Sequence, residues 1–275
     1  MKTTQLTAEI LRKKSFLCVG LDVDMEKVPL VFRNSSTALV DFSKAIIDAT
    51  VDYAVAYKPN IAFFETYGVE GMAALKEVID YLNEKHPEIF TIADAKRGDI
   101  GNTSTRYAKA YFDTLGFDAI TVAPYMGKDS IEPFLAFEEK HTILLALTSN
   151  PGSNDFQRIE AHGKPLFQSV LEKAKTWEGS DRLMYVVGAT RADALTEIRK
   201  IVPDAFLLVP GVGAQGGSLA DVATYGLNKG VGLLVNSSRG IIYASQEEDF
   251  ASAARQAAKT MQEEMALLLA QNNFI

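Results

Sequence analysis

Cysteine, histidine and tryptophan are scarce in this chain of 275 residues, which contains one cysteine, three histidines and one tryptophan. No internal disulfide can form, and Cys18 lies inside an apolar run. We therefore expect a buried thiol in a protein of the reducing cytoplasm. The histidines are not spaced as metal ligands and no Cys-x-x-Cys pair occurs, so no metal site is expected.

Long apolar runs and a surplus of basic residues are also missing. No stretch approaches the roughly 18 uninterrupted apolar residues of a membrane span, so no membrane partner is expected. The formal net charge of −7 argues against a general nucleic-acid binder, because such proteins usually carry a basic surplus. Apolar residues make up 47% of the chain and charged residues 23%, which is typical of a globular protein with a substantial core.

Apolar, β-branched segments recur about every 31 residues, which is the length of a strand-plus-helix unit. The predicted strands are Phe16–Leu21, Tyr53–Tyr57, Phe90–Ala93, Ala119–Ala123, Ile143–Leu147, Met184–Val187, Phe206–Val209 and Gly232–Val235. Amphipathic stretches between and around them predict helices. The predicted helices are Leu6–Lys13, Thr37–Thr50, Val69–Glu84, Thr103–Leu115, Ser130–Glu139, Leu166–Trp177, Ala192–Ile201, Ser218–Leu227 and, approximately, Gln246–Ala270.

This alternation predicts an α/β fold, a single (β/α)8 TIM barrel domain over residues 1–275 with a short N-terminal helix. An open doubly wound sheet would also accommodate eight strands, but no composition break or linker divides the chain into halves. Asn150–Lys164 is predicted to be a long loop after the fifth strand, and such loops are uncommon unless they are functional.

The third predicted strand is followed by a cluster of charges. Residues two apart in a strand point to the same face, so Asp94 and Lys96 are expected to project together. Asp99 comes next, in the turn before the following helix. Burying charge is costly unless it is paired, so the cluster is either a salt-bridge network or a catalytic site.

Polar residues follow the other predicted strands, at the barrel end where active sites of this fold are built. The glycine-rich segment Pro210–Gly217 matches the dinucleotide fingerprint, but it comes late and lacks the acidic residue expected about 20 positions later. Loops after strands seven and eight commonly bind phosphate instead. Gln215 and Arg239 would then supply an amide and a guanidinium.

Taken together, these residues resemble the orotidine 5′-phosphate decarboxylase family, and most closely its longer bacterial subgroup. The most specific element is the family's Asp-x-Lys-x-x-Asp-Ile pattern, which Asp94, Lys96, Asp99 and Ile100 match. The resemblance implies a cofactor-free lyase that converts orotidine 5′-phosphate (OMP) to UMP and carbon dioxide in de novo pyrimidine biosynthesis. It also implies a homodimer with its sites at the subunit interface.

The resemblance implies catalytic roles for four residues. Lys96 would stabilise and then protonate the carbanion at C6 of the pyrimidine. Lys58, Asp94 and Lys96 would form a chain of charges completed by Asp99 of the neighbouring subunit.

Substrate-binding roles are implied for six further residues, namely Asp22, Ile100, Thr103, Ser149, Gln215 and Arg239. Asp22 would bind ribose together with Lys58. Ile100 and Thr103 would serve the neighbouring subunit's site. Ser149, in preference to Thr148, would contact the pyrimidine. Gln215 and Arg239 would hold the 5′-phosphate.

Another phosphosugar enzyme on the same barrel is the main alternative, such as a magnesium-dependent sugar-phosphate decarboxylase or an aldol-type synthase. Those relatives have an acidic metal ligand two positions before the aspartate of the Asp-x-Lys core, and this chain has Ile92 there. A Schiff-base aldolase using Lys58 or Lys96 is a further alternative. A barrel that only senses a nucleotide or phosphosugar is the non-enzymatic one.

Overall fold

The computed structural model describes residues 1–33, 35–161, 163–189, 192–212 and 216–275. The strands are β1 (Leu17–Leu21), β2 (Ala54–Pro59), β3 (Phe90–Arg97), β4 (Ala119–Val122), β5 (His141–Leu147), β6 (Glu160–Ala161), β7 (Lys164–Pro165), β8 (Leu183–Val187), β9 (Leu207–Pro210) and β10 (Leu233–Ser237). The helices are α1 (Thr3–Lys13), α2 (Ala38–Thr50), α3 (Ile61–Glu65), α4 (Gly68–Lys85), α5 (Gly101–Lys109), α6 (Lys128–Leu135), α7 (Leu166–Ala174), α8 (Ala192–Ile201), α9 (Leu219–Gly226), α10 (Arg239–Ile242) and α11 (Phe250–Gln271).

Eight strands in these ranges form a closed barrel in the order β1-β10-β9-β8-β5-β4-β3-β2. The pairs β1–β2, β4–β5 and β8–β9 are parallel, and β6 and β7 form a small antiparallel sheet. The barrel strands are almost entirely buried, as expected when both faces of a parallel sheet are covered. The predicted (β/α)8 barrel with its short N-terminal helix is confirmed.

The predicted strands and main helices all occur, with differences at their ends. β3 runs to Arg97, because the Ala123 amide donates to the Arg97 carbonyl at 2.9 Å and so prolongs the pairing. The predicted helix Thr103–Leu115 is instead α5 followed by one π-helical turn, Ala110–Thr114. The short helices α3 and α10 were not predicted. In the described ranges, no helix is long and apolar enough to cross a membrane.

The chain consists of two compact units. The first contains Met1–Ala95, Leu115–Phe117 and Asn236–Ile275, and the second contains Lys96–Thr114 and Asp118–Val235. The single domain over the whole chain therefore stays a prediction.

The core of the first unit contains an aromatic cluster that joins two helices. Phe42 of α2 and Phe250 of α11 lie with ring centroids 5.7 Å apart, and Phe32 makes edge contacts with both rings. Tyr243 stacks on Phe42 at 6.0 Å with an interplanar angle of 11°. Such pairs stabilise a core beyond the area they bury, so this cluster holds its members in defined positions.

In the second unit, Arg199 of α8 donates to several backbone carbonyls. Its guanidinium donates to the carbonyl oxygens of Ala205 at 2.6 Å and Gly226 at 2.7 Å. It also donates to Gly232 at 2.8 Å. Burial lowers the pKa of Arg199 to about 10, and the side chain remains a cation at neutral pH.

Arg199→Ala should destabilise the protein, because the carbonyl groups of Ala205 and Gly226 lose their side-chain donor, whereas that of Gly232 still accepts from the Leu207 amide at 2.9 Å. An unsatisfied buried acceptor costs about 1 kcal/mol or more, so the free energy of unfolding should fall by roughly 2 kcal/mol. Urea unfolding followed by circular dichroism measures this change. Arg199→Lys should recover only part of the loss, because one ammonium cannot reproduce the guanidinium fork. Equal stability of wild type and Arg199→Ala would contradict this interpretation.

Candidate active site

Lys58 and Asp94 form an ion pair near the carboxyl ends of β2 and β3. Lys58 Nζ donates to Asp94 Oδ2 at 2.7 Å, and the two side chains are only 6% and 12% exposed. Burial alone lowers the pKa of Lys58, but the charges of Asp94 and Asp22 outweigh it and raise the pKa above its ordinary value. Lys58 is therefore an ammonium held in the interior by carboxylates.

Asp22, which directly follows β1, lies near this ion pair. Over the described residues, Asp22 Oδ1 and Ser238 Oγ are buried side-chain atoms without a hydrogen-bond partner. The charge of Asp22 acts on Lys58, so Asp22 Oδ1 lies near the charged pair and is a candidate for contact with a ligand.

Cys18 of β1 lies in the same unit and is completely buried. Its Sγ is 3.7 Å from Asn236 Oδ1, and burial raises its pKa to about 12. The predicted buried thiol is confirmed.

A glycine is needed at position 20, because a Cβ there would lie 2.7 Å from Ser238 Cβ.

Lys96 begins the part of β3 that belongs to the second unit. Its φ is +47°, a left-handed conformation that costs a non-glycine residue about 1 kcal/mol or more. The Lys96 amide donates to Thr121 Oγ1 at 2.9 Å, and its side chain is exposed. The backbone at Lys96 therefore departs from regular strand geometry, and the projection of Asp94 and Lys96 to a common face stays a prediction.

Asp99 lies in the turn between β3 and α5, as predicted. Its Oδ1 accepts from the Ile100 amide at 2.7 Å, and the Ser104 hydroxyl donates to its carbonyl oxygen at 2.5 Å. Ile100 is 54% exposed and Thr103 is also exposed. The start of α5 thus has a defined conformation and presents an apolar side chain on the surface of the single chain.

The segment after β5 is organised by Gln157, which the sequence analysis did not identify. Gln157 Oε1 accepts from the Thr148 amide at 2.7 Å, and Nε2 donates to Thr148 Oγ1 at 2.9 Å. The Thr148 hydroxyl also donates to Asn150 Oδ1 at 2.6 Å. Ser149 packs closely on Gly188, the residue after β8, because a Cβ at Gly188 would lie 2.7 Å from Ser149 Cβ.

A backbone hydrogen bond joins the two ends of the glycine-rich segment after β9. The Gly217 amide donates to the Gly211 carbonyl at 3.3 Å, and Gly211 and Gly216 have φ values of +98° and +82°. Gln215, a predicted phosphate ligand, lies outside the described residues. Arg239, the other predicted phosphate ligand, starts α10 and is exposed.

The position at which magnesium-dependent relatives carry a metal ligand is apolar here. Ile92 is completely buried in β3. Across the described ranges, no group of three or more His, Cys, Asp or Glu side chains could hold a metal ion.

A closed barrel with charged side chains at the carboxyl ends of its strands is typical of (β/α)8-barrel enzymes. Residues 15–257 match the model of the Orotidine 5′-phosphate decarboxylase / HUMPS family, and the chain belongs to this family. The resemblance inferred from the Asp-x-Lys-x-x-Asp-Ile pattern is confirmed.

Curated relatives and solved structures agree with this membership. The chain is 61% identical to the orotidine 5′-phosphate decarboxylase of Flavobacterium johnsoniae, with 98% of both sequences covered. It is 57% identical to that of Bacteroides fragilis, with 97% of both covered. The OMP decarboxylase of Leishmania donovani has a similar structure, with a TM-score of 0.83, 40% identity and coverage of 98% of this chain and 99% of that chain.

Asp94→Asn should uncover the cost of burying Lys58. The free energy of unfolding at neutral pH should fall by about 3 kcal/mol, because a buried ammonium loses its main counter-charge. In the variant, burial should outweigh the remaining charge of Asp22 and lower the pKa of Lys58 below its unfolded value, so the variant should gain stability as pH rises and Lys58 deprotonates. In the wild type the raised pKa keeps Lys58 charged, and its contribution to stability is complete below the unfolded pKa and is lost as pH rises through the raised folded pKa.

Urea unfolding at several pH values between about 7 and 9.5 measures both effects. The difference in free energy of unfolding between the wild type and Asp94→Asn should become smaller as pH rises. Asp80→Asn is the matched control, because Asp80 pairs with Lys76 at the surface with side chains 45% and 41% exposed. Asp80→Asn should change the free energy of unfolding only slightly at every pH. A wild-type stability in Asp94→Asn would contradict the interpretation.

Proposed function

We propose that this protein catalyses the decarboxylation of OMP to UMP and carbon dioxide, as a cofactor-free carboxy-lyase of de novo pyrimidine biosynthesis. The observation that carries the proposal is the buried Lys58–Asp94 pair, with Lys96 two residues farther along the same strand. Membership of the family and identity of 61% to a relative named for this activity support it. The buried Ile92 argues against the metal-dependent alternatives.

The reaction poses an electrostatic problem. When the bond between C6 and the carboxylate carbon breaks, its electron pair remains on C6 in an orbital orthogonal to the ring π system. No electron sink is built into the pyrimidine, and most decarboxylases borrow one from pyridoxal phosphate or thiamine. The enzyme must therefore lower the barrier by roughly 20 kcal/mol, mainly with its own charges.

Lys96 is the residue proposed to meet this demand. Its ammonium would lie at C6, stabilise the developing negative charge, and transfer a proton from Nζ to C6. Solvent would then return a proton to the neutral amine. The left-handed backbone at Lys96 supports this role, because strained residues persist where the surrounding structure holds them for function. A charge fixed before the reaction needs no reorganisation during it.

Asp94 and Lys58 are proposed to complete the charge array in the same subunit. The Asp94 carboxylate would lie beside the substrate carboxylate and the Lys96 ammonium. Lys58 makes burial of Asp94 possible by pairing with it at 2.7 Å. The same ammonium has further donor hydrogens that could bind a ribose hydroxyl.

The remaining contacts would position the substrate. Asp22 Oδ1, which has no hydrogen-bond partner among the described residues, would accept a hydrogen bond from a ribose hydroxyl. Ser149, in preference to Thr148, would contact the pyrimidine. Gln215 and Arg239 would bind the 5′-phosphate, far from C6. Binding energy there can be used to orient the ring in the transition state.

The active form is proposed to be a cytoplasmic homodimer in which Asp99, Ile100 and Thr103 serve the site of the neighbouring subunit. The 54% exposure of Ile100 supports this arrangement, as do Tyr125 and Met126 after β4, which are 89% and 46% exposed. Exposed apolar side chains of this kind are typical of protein interfaces. The buried free thiol of Cys18 suits a reducing compartment.

A loss of OMP absorbance with formation of UMP, in EDTA and without added cofactor, tests the proposed reaction. Lys96→Ala should lower kcat by at least about 10⁴-fold, because it removes both the fixed charge and the proton donor. Lys259→Ala, at an exposed lysine on α11, is the control and should leave kcat unchanged. An inactive wild type would overturn the proposal, and turnover of a phosphosugar with magnesium would favour the main alternative.

Mixing two inactive variants tests the shared site. Lys96→Ala and Asp99→Ala should each be nearly inactive alone, yet the mixture should recover activity when subunits exchange. The heterodimer would contain one site with an intact Lys96 and an intact neighbouring Asp99. A mixture of Lys96→Ala with Lys58→Ala is the matched control and should stay inactive, because each of its sites keeps one defect. No recovery despite demonstrated exchange would place Asp99 in its own subunit's site.

A further inference from the structure

We propose that Tyr243 is a positioning residue that acts through Asp22, an inference that rests on the proposed function. Tyr243 directly follows α10 and has no motif or charge that would identify it in the sequence. The residues that carry the inference all belong to the first unit.

The Tyr243 hydroxyl bridges two backbone groups around Asp22. It donates to the Asp22 carbonyl oxygen at 3.1 Å and accepts from the Asp24 amide at 2.7 Å. Burial raises the pKa of Tyr243 to about 12, so the hydroxyl keeps the proton it donates. One side chain thus satisfies an acceptor and a donor on either side of Val23 and restrains the start of the loop after β1.

The position of this hydroxyl is itself restrained. The Tyr243 ring stacks on Phe42, which contacts Phe250 and Phe32 in the aromatic cluster. Phe42 is completely buried and the rings contact one another, so a displacement of the hydroxyl would require the cluster to rearrange. The loop after β1 is therefore anchored to a rigid part of the first unit.

Tyr243 also connects this loop with the proposed phosphate ligand. Its backbone amide donates to the Arg239 carbonyl at 3.2 Å, which closes the turn of α10. The same residue thus contacts the turn that begins at Arg239 and the loop that carries Asp22. Tyr243 would thus fix the position of the proposed ribose ligand Asp22 relative to the turn that begins at the proposed phosphate ligand Arg239.

Asp22 depends on this restraint because one oxygen of its carboxylate has no hydrogen bond that would hold it within the part of the chain that the structure describes. Its Oδ1 atom is buried without a hydrogen-bond partner among the described residues, while its charge contributes to the raised pKa of Lys58. A small displacement of the loop would move the carboxylate relative to Lys58 and the substrate. Misplacement of a binding group by about 1 Å can reduce turnover a hundredfold.

A double-mutant cycle with Tyr243→Phe and Asp22→Asn tests the inference. Tyr243→Phe alone should lower kcat/KM for OMP about tenfold and weaken UMP binding, with the same division between kcat and KM as Asp22→Asn. If Tyr243 acts through Asp22, the double variant should match Asp22→Asn within about twofold. The dissociation constant of UMP is measured for the wild type, both single variants and the double variant. The coupling between the two substitutions can then be obtained even where turnover is too slow to measure.

Tyr81→Phe is the matched control, because its hydroxyl donates to Asp48 at 2.5 Å on the exposed face of α4 and should not affect kinetics. Tyr67→Phe is a second test of the same loop, since the Tyr67 hydroxyl accepts from the Met25 amide at 3.0 Å, and a weaker dependence on Asp22 is expected there. Thermal unfolding checks that each variant is folded.

Multiplicative effects of Tyr243→Phe and Asp22→Asn would overturn the inference and leave only a structural role for the hydroxyl. An unchanged kcat/KM in Tyr243→Phe would also overturn it. Either result with an active wild type leaves the proposed function intact, whereas a wild type inactive on OMP would reject the proposed function itself.

Discussion

The site depends on one interaction, the contact between the Lys58 ammonium and the Asp94 carboxylate at 2.7 Å. An ammonium in an apolar interior loses its hydration, and burial alone would drive Lys58 toward the neutral amine. The carboxylates of Asp94 and Asp22 reverse this tendency, so the charge exists before any substrate binds. A charge array formed in this way is suited to a reaction that creates a carbanion without an electron sink.

In each unit, some residues have an unusual backbone conformation or lie very close to a neighbouring segment. Lys96 has a φ of +47°, which a non-glycine residue adopts only where its surroundings hold it. Gly20 and Gly188 allow close approach to Ser238 and Ser149, at distances that no Cβ could tolerate. These positions raise the conformational cost of the fold, and the closed barrel and its packed core offset that cost.

The periodicity of apolar segments was sufficient to predict the barrel strands and the main helices, because each strand-plus-helix unit repeats the same burial pattern. α3 and α10 were missed because a helix of one turn is too short to show a period of 3.6 residues. The end of β3 was placed too early because the charged residues after Ala93 look like a loop in the sequence. Gln157 and Tyr243 were missed because they are single polar residues without a motif.

The sequence by itself determined the fold class, the family and the candidate charged residues, since these depend on periodicity and on a motif confined to a few neighbouring positions. Only the tertiary structure decided which groups are partners. Lys58 and Asp94 are 36 positions apart, and Tyr243 and Asp22 are 221 apart, so no local pattern connects them. Burial and hydrogen bonding arise between distant segments when the barrel closes, and these contacts determine the charge of Lys58 and the position of Asp22.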